Sequence, residues 1–197
     1  MAMTQQLEAS TPTQDHGITL YEVTWDSLEL IESALEEYAV SLTYLDGTLD
    51  LMTPSPEHEE SKSTIGLLLE TYLRERKIRF YVCGSPTLGS RNVGARGEPD
   101  ESYNLETEKE VPDIAIEVAF TSGGVDKLEK YRRWRVPEVW FWNRKQLFVY
   151  HLREQGYEQI TKSEFLPKLD LNLFVRCLNM PDQYDAVIAF QEALRKL

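Results

Sequence analysis

The hydrophobic and polar positions of the chain follow two periods along its length, one typical of helices and one typical of strands. The first helical stretch begins after Thr24, a good N-cap, and has apolar residues at helical spacing over residues 25–35. A longer stretch, about residues 57–76, places its apolar side chains on one stripe. The same criterion predicts two further helices, over about residues 125–135 and 185–197.

Segments with strand character separate these helices. Residues 41–45 and 48–52 alternate on either side of Asp46-Gly47, which is a strong hairpin signal. The clearest strand covers residues 113–120, and a turn at 121–124 follows it. Further strands are predicted over 78–83, around 98–100, over 138–142 and 147–152 as a second hairpin, and over 157–161 as an edge strand. This order of elements predicts an α/β fold with a mixed central β-sheet flanked by helices.

Length and composition favour one intracellular domain. Of the 197 residues, 42% are hydrophobic, which is enough for a core, and residues 18–197 are predicted to form the domain after a disordered tail over 1–17. No apolar run is long enough to span a bilayer, and the first residues do not resemble a secretory signal. Cys83 and Cys177 match no metal or disulfide spacing, so we expect reduced thiols in a cytoplasmic protein.

The net charge of −12 argues at first against nucleic acid as a partner. The charge is unevenly distributed, because residues 1–60 contain 13 acidic residues and no lysine or arginine. Basic residues cluster over 74–96 and again over 127–135. Such clusters are usually solvated helix faces, but a local basic rim beside a phosphate site stays open as an alternative.

A single acidic residue interrupts the apolar strand at 113–120. Alternation places the large apolar residues on one face, and Glu117 between Ala115 and Ala119 on the other. A carboxylate in such a strand is costly to bury unless it is paired or binds a metal. The alternative is that Glu117 faces solvent or pairs with an arginine, and we favour the functional interpretation.

Two more candidates flank this strand in the sequence. Asp100 follows Pro99, which restricts its segment to a strand start, an edge or a bulge, where a carboxylate can be directed into a site. Lys127 lies near the start of a predicted helix, where free N–H groups and the helix dipole favour an anion such as phosphate. Taken singly, each would be an ordinary turn acid or surface lysine.

His58 lies at the start of the long predicted helix, on the same stripe as its apolar residues. This position directs His58 toward the sheet, although a lone histidine at the end of an apolar face is usually a hydrogen-bonded boundary residue. Glu57 and Glu60 are ambiguous, because acids near a helix N-terminus are favoured by the dipole in any case.

Together these motifs resemble the PD-(D/E)xK restriction-endonuclease-like superfamily. More narrowly, the chain is similar over about residues 20–195 to the Uma-two endonuclease family, which is expanded in cyanobacteria. The resemblance rests on five motifs: Glu98-Pro99-Asp100, residues 112–118, Asp126-Lys127 with Tyr131, residues 136–140, and the Asp46-Gly47 hairpin followed by His58.

The resemblance implies a central sheet that presents acids to Mg²⁺ or Mn²⁺. Asp100 and Glu117 match the metal ligands, and the carbonyl of Val118 is a third candidate ligand. The lysine that the superfamily places two residues after the glutamate is Ala119 in this chain, and Lys127 matches the position to which the family moves it. His58 matches the position in the first helix of the site, with Glu60 a weaker candidate.

The function predicted from these residues is metal-dependent hydrolysis of phosphodiester bonds in nucleic acid, DNA before RNA, by a homodimer without membrane association. Asp100, Glu117, Lys127 and His58 are the predicted catalytic residues. Two alternatives stay open: an inactive nuclease-fold domain that binds or regulates, and a metal-dependent hydrolase of a small phosphorylated substrate. The net charge and Ala119 favour the first, and the acidic composition is also compatible with the second.

Overall fold

The computed structural model describes residues 15–119 and 126–196. In these ranges, eleven β-strands form two sheets and five α-helices pack against them. The strands are β1 (His16–Leu20), β2 (Ser41–Leu45), β3 (Thr48–Thr53), β4 (Phe80–Val82), β5 (Leu88–Ser90), β6 (Ala95–Gly97), β7 (Glu101–Leu105), β8 (Ile114–Val118), β9 (Glu138–Asn143), β10 (Gln146–Arg153) and β11 (Gly156–Ile160). The helices are α1 (Trp25–Leu35), α2 (Pro56–Glu75), α3 (Lys127–Trp134), α4 (Leu171–Leu178) and α5 (Gln183–Arg195).

The central sheet has six strands in the order β11-β10-β9-β8-β7-β4. Its strand pairs are antiparallel except β8 and β9, which are parallel and are joined through α3. Ile114, Ile116 and Val118 of β8 face the main core, where they pack with α2, α4 and α5. Ala115 faces the opposite side of the sheet and packs with Tyr131 of α3. The two faces of β8 therefore follow the alternation predicted from the sequence.

A second sheet of five strands, here called the N-terminal sheet, has the order β1-β3-β2-β6-β5 and is antiparallel throughout. One of its faces is covered by α1, with Leu28, Tyr44 and Leu49 in a small core. In β3, Asp50 pairs with Thr19 of β1 on one side and with Thr43 of β2 on the other. Because Asp50 follows the buried Leu49 in β3, its row of side chains lies on the face away from α1.

Helix α3 lies between the two sheets. Its Tyr131 and Trp134 share a core with Ala115 of the central sheet and with Leu88 and Ala95 of the N-terminal sheet. The guanidinium group of Arg133 forms a salt bridge with Asp46 in the β2–β3 turn, with Nη2 and Oδ2 2.5 Å apart. These contacts fix the position of α3 relative to both sheets.

The predicted fold class is confirmed, since a mixed six-stranded sheet is flanked by helices. Both predicted hairpins, the strand at β8, the edge strand β11 and the four predicted helices are present, with ends shifted by a few residues. The predicted turn at 121–124 and Phe120 lie outside the described residues. Helix α4 was not predicted.

The predicted boundary of the N-terminal tail differs from the structure. Residues 1–14 of that tail lie outside the described residues, but residues 15–17 belong to the fold. His16 and Gly17 pair with Thr53 and Met52 as the start of β1, because the edge of β3 offers them backbone partners. Residues 84–97, where no strand was predicted, contain the short strands β5 and β6. Among the described residues, no helix is both long and apolar enough to cross a bilayer.

Candidate functional site

Glu117 lies near the carboxyl end of β8 and is the central residue of the candidate site. Its side chain is 6% exposed, and three donors from α3 surround the carboxylate. Oε1 accepts a hydrogen bond from Lys127 Nζ at 2.5 Å, and Oε2 accepts one from the hydroxyl of Tyr131 at 2.5 Å. The ammonium group of Lys130 lies 3.3 Å from Oε2. The predicted carboxylate is therefore buried and paired with lysines, not with an arginine or solvent.

These contacts set the charge state of the group. Burial by itself would raise the pKa of Glu117, but the charges of Lys127 and Lys130 outweigh it and hold that pKa well below its usual value. For Lys127, the attraction of Glu117 outweighs burial, so its pKa is raised. For Lys130, which is fully buried, burial dominates and the pKa is lowered. The pair formed by Glu117 and Lys127 is thus an ion pair in the described structure.

Asp100 lies beside Glu117, immediately before β7. Its N–H donates to the carbonyl oxygen of Ile116 at 3.1 Å, and its Oδ2 accepts a hydrogen bond from the N–H of Val118 at 2.6 Å. These two bonds hold Asp100 against β8 on both sides of Glu117. Pro99 and Asp100 both lie just before β7, which begins at Glu101, so of the three predicted settings the structure has the strand start. The strand predicted around 98–100 therefore begins later in the chain.

His58 connects Asp100 to the N-terminal end of the described chain. Its Nε2 lies 3.2 Å from Asp100 Oδ1, and its Nδ1 lies 3.1 Å from Asp15 Oδ2. The His58 ring is 1% exposed. Burial acts to lower the pKa of His58, but the two carboxylates outweigh it and raise that pKa above its ordinary value.

The start of α2 fixes the position of His58. Ser55 is the N-cap, and its hydroxyl accepts a hydrogen bond from the N–H of His58 at 3.2 Å. The N–H of Ser55 in turn donates to Asp15 Oδ1 at 2.8 Å, so Asp15 bonds both the cap and the ring. Glu60, the weaker candidate, is exposed on the outer side of α2 and does not belong to this group.

A cleft of about 280 Å³ lies between the site and the N-terminal sheet. Glu117 and Lys127 line one wall. The opposite wall is the face of the N-terminal sheet that α1 leaves uncovered, and its polar side chains include Thr19, Thr43 and Asp50. The charge of Asp50 contributes to raising the pKa of Lys127. The buried carboxylate and its lysine are therefore accessible from one narrow space.

Comparison of the sequence with models of known protein families assigns the chain to a family. A family model named Uma2, with the description "Putative restriction endonuclease", matches residues 25–181. The matched span contains Asp100, Glu117, Lys127 and His58. The chain belongs to the Uma2 family. No curated protein matches the chain significantly.

Membership in Uma2 confirms the resemblance inferred from the motifs and points to a nuclease. The structure brings the four predicted catalytic residues of this Uma2 protein into one connected group. Asp15 also belongs to this group through its contact with His58, although the sequence pattern predicts that it lies in the disordered tail. Lys130 was assigned to a basic cluster on a solvated helix face, and it is instead completely buried.

The carboxylates of this Uma2 site fit a hard divalent cation such as Mg²⁺ or Mn²⁺. Among residues 15–119 and 126–196, no three acid, histidine or cysteine side chains converge to form a complete metal cage. Mg²⁺ at phosphoryl-transfer sites is commonly held by only one or two carboxylates, with water and substrate phosphate as the remaining ligands. Asp100 and Glu117 could supply two such carboxylates, because three of their four oxygens, all except Glu117 Oε2, have a lone pair beyond the one contact described.

Proposed function

We propose that this Uma2 protein hydrolyses phosphodiester bonds in nucleic acid, with DNA as the principal substrate and Mg²⁺ or Mn²⁺ as the cofactor. The observation that supports this most is the convergence of Asp100, Glu117 and Lys127 at one end of β8, although they come from a loop, a strand and a helix. Asp100 and Glu117 would hold the cation, with the carbonyl oxygen of Val118 as a third ligand. When bound, the cation would supply Lewis-acid activation of water and neutralise charge on the phosphoryl group.

Lys127 is proposed to bind and orient the scissile phosphate. Its raised pKa keeps the ammonium group protonated near neutral pH, so Lys127 acts through its charge and not as a general base. A fixed positive charge at the phosphate stabilises the negative charge that grows on its oxygens as water attacks phosphorus. To contact the phosphate, the ammonium group of Lys127 would have to move partly away from Glu117 Oε1, and the long, flexible lysine side chain allows this movement.

Tyr131 and Lys130 are proposed to hold Glu117 in position. The Tyr131 hydroxyl and the Lys130 ammonium group both contact Oε2, so that this side of the carboxylate stays fixed when Lys127 engages substrate. Tyr131 belongs to the apolar core between α3 and the central sheet, and Lys130 is completely buried against the rings of Tyr131 and Trp134, so water is excluded from this side of Glu117. A fixed carboxylate keeps its geometry through the reaction without reorganisation.

His58 is proposed to orient Asp100. Its Nε2 lies 3.2 Å from Oδ1, while the Val118 N–H holds Oδ2, so both oxygens of Asp100 are fixed. Since the neighbouring acids raise the pKa of His58, the protonated ring can donate from both nitrogens, from Nε2 to Asp100 and from Nδ1 to Asp15.

The test is cleavage of labelled DNA by the purified full chain in Mg²⁺ or Mn²⁺, compared with Asp100→Asn and Glu117→Gln. Each substitution is expected to abolish metal-dependent cleavage and to weaken Mn²⁺ binding in calorimetry. Asp185→Asn and Glu154→Gln make the same chemical changes at exposed positions and serve as matched controls. Cleavage that persists in either site variant, with the fold intact by circular dichroism, contradicts the assignment.

A further inference from the structure

We infer that the cleft between the site and the N-terminal sheet accepts one unpaired nucleotide at a time, so that the substrate is single-stranded nucleic acid or an unpaired end, not the interior of a duplex. This inference rests on the proposed function and specifies its substrate class. Three observations support it: the depth of the reacting groups, the chemistry of the opposite wall, and the pairing of the basic residues.

The reacting groups lie at the base of a narrow space. The side chain of Glu117 is 6% exposed and that of Lys127 is 22% exposed. The cleft that leads to them has a volume of about 280 Å³, just below the roughly 300–1,000 Å³ typical of small-molecule sites. A space this small has room for a unit of one strand but not for two paired strands.

The wall opposite Lys127 is suited to a sugar and base but not to a second phosphate. Asp50 lies in the middle of this wall, and its Oδ1 accepts a hydrogen bond from the hydroxyl of Thr19 at 2.5 Å. Thr43 pairs with Asp50 across the strands, and Ser41 lies two residues before it on the same face. The negative charge of the Asp50 carboxylate repels a phosphate, while this carboxylate and the neighbouring hydroxyl groups can hydrogen-bond to sugar hydroxyls and base edges. This difference between the walls orients a nucleotide with its phosphate toward Lys127.

The basic residues that could bind a duplex backbone are largely paired within the protein. In the described ranges, five arginines of the two basic clusters form salt bridges with acids: Arg74, Arg91, Arg96, Arg132 and Arg133. A duplex presents about one charge per 1.7 Å along its axis, twice that of one strand, and needs a correspondingly extended basic surface. With a net charge of −12, the chain repels a duplex more strongly than a single strand.

The experiment separates this inference from the proposed function by measuring binding without cleavage. Fluorescence anisotropy in EDTA compares the full chain on one labelled oligonucleotide as a single strand and as a blunt duplex. Single-strand binding tighter than duplex binding by about ten-fold or more is expected, given the difference in backbone charge. Equal binding, tighter duplex binding, or no binding to either form overturns the inference. Cleavage of the same oligonucleotides in Mn²⁺ tests the proposed function independently, because binding needs no turnover.

Variants in the wall locate the bound strand. Ser41→Leu and Thr43→Leu narrow the cleft and remove a hydroxyl group, so each is expected to weaken single-strand binding by roughly five-fold or more. Thr161→Leu is the matched control, since Thr161 is exposed after β11 and does not line the cleft. Unchanged single-strand binding in both wall variants, with native thermal unfolding, would show that the strand binds elsewhere and would overturn the inference.

Discussion

The ammonium nitrogen of Lys127 lies 2.5 Å from Oε1 of Glu117, although the two residues are ten positions apart in sequence and belong to different elements. In the PD-(D/E)xK pattern that the motifs resemble, a lysine stands two residues after the acid on the same strand, where this chain has Ala119. Here helix α3 presents its first residue, Lys127, to the carboxylate. The acid–lysine pair is therefore formed by the packing of α3 on the central sheet and not by one strand alone.

Lys127→Met tests the role proposed for this lysine. Loss of the ammonium group removes the charge that would stabilise the phosphoryl group, and we expect kcat/KM for DNA cleavage to fall by roughly 10²–10³-fold. Lys127→Arg keeps the charge in a different shape and should retain part of the activity. Lys162→Met removes an exposed lysine and should change nothing. Equal activity of Lys127→Met and native protein would exclude the proposed role.

The buried charge of Lys130 can be measured through its coupling to Glu117. Glu117→Gln leaves the Lys130 ammonium group buried without its counter-charge, which typically costs about 3–5 kcal/mol of stability. The double variant Glu117→Gln/Lys130→Met removes both members of the pair and should be more stable than Glu117→Gln alone. Urea unfolding of the two single variants and the double variant completes the cycle. Additive effects would show that the two side chains do not interact.

The histidine between two acids predicts a pH dependence of the metal-free protein. The folded pKa of His58 is raised above the unfolded value near 6.5, so its contribution to stability is fully present below pH 6.5. That contribution is lost as the pH rises through the folded pKa. NMR titration of the His58 ring in EDTA gives the pKa directly. A measured value below 6.5 would contradict the described contacts, and His58→Asn should remove this part of the pH dependence.

Asp15 should control His58 although it lies outside the proposed metal ligands. Asp15→Asn keeps the size of the side chain but removes the charge that contacts His58 Nδ1 and weakens the bond to the N–H of Ser55. The pKa of His58 is expected to fall, and the free energy of unfolding to decrease by about 1.5–3 kcal/mol. NMR titration and urea unfolding measure the two effects. Asp26→Asn, at an exposed position in α1, is the control for unfolding.

Gly89 allows α3 and the N-terminal sheet to approach each other closely, because it has no side chain. Its φ is +92°, and a Cβ atom there would lie 2.0 Å from the carbonyl oxygen of Ala95 and 2.4 Å from Trp134 Nε1. Gly89→Ala is therefore expected to destabilise the fold by at least about 2 kcal/mol and to displace α3. Gly84 also has a positive φ, but a Cβ atom there would have no neighbour within 4 Å. Gly84→Ala therefore measures the cost of backbone strain alone, and the additional loss of stability in Gly89→Ala measures the steric clash. Thermal unfolding compares the two.

Much of the fold is visible in the sequence because local patterns determine it. The stripe on α2, the Asp46-Gly47 turn and the alternation of β8 each involve residues close in the chain. The same local logic identified Glu117, because one acid in an apolar strand stands out. His58 was placed correctly toward the sheet because it shares a stripe with buried residues.

The features that the sequence did not reveal depend on distant contacts. Asp15 lies in a polar segment with no local pattern, and its role depends on a contact with His58, which is 43 positions later in the chain. Strands β5 and β6 have three residues each, too few to show a period, and they form because β2 offers an edge. Lys130 follows the helical pattern of a solvated basic face, and only the packing of α3 between two sheets shows that it is buried.

The parallel pairing of β8 and β9 also determines how the acid and the lysine meet. Parallel neighbours cannot be joined by a tight turn, so the chain must cross over the sheet before β9 can pair, and α3 is that crossover. Lys127 is the first residue of α3, so the segment that makes the parallel pairing possible also carries the lysine to Glu117. The same crossover therefore serves the topology of the sheet and the chemistry of the site.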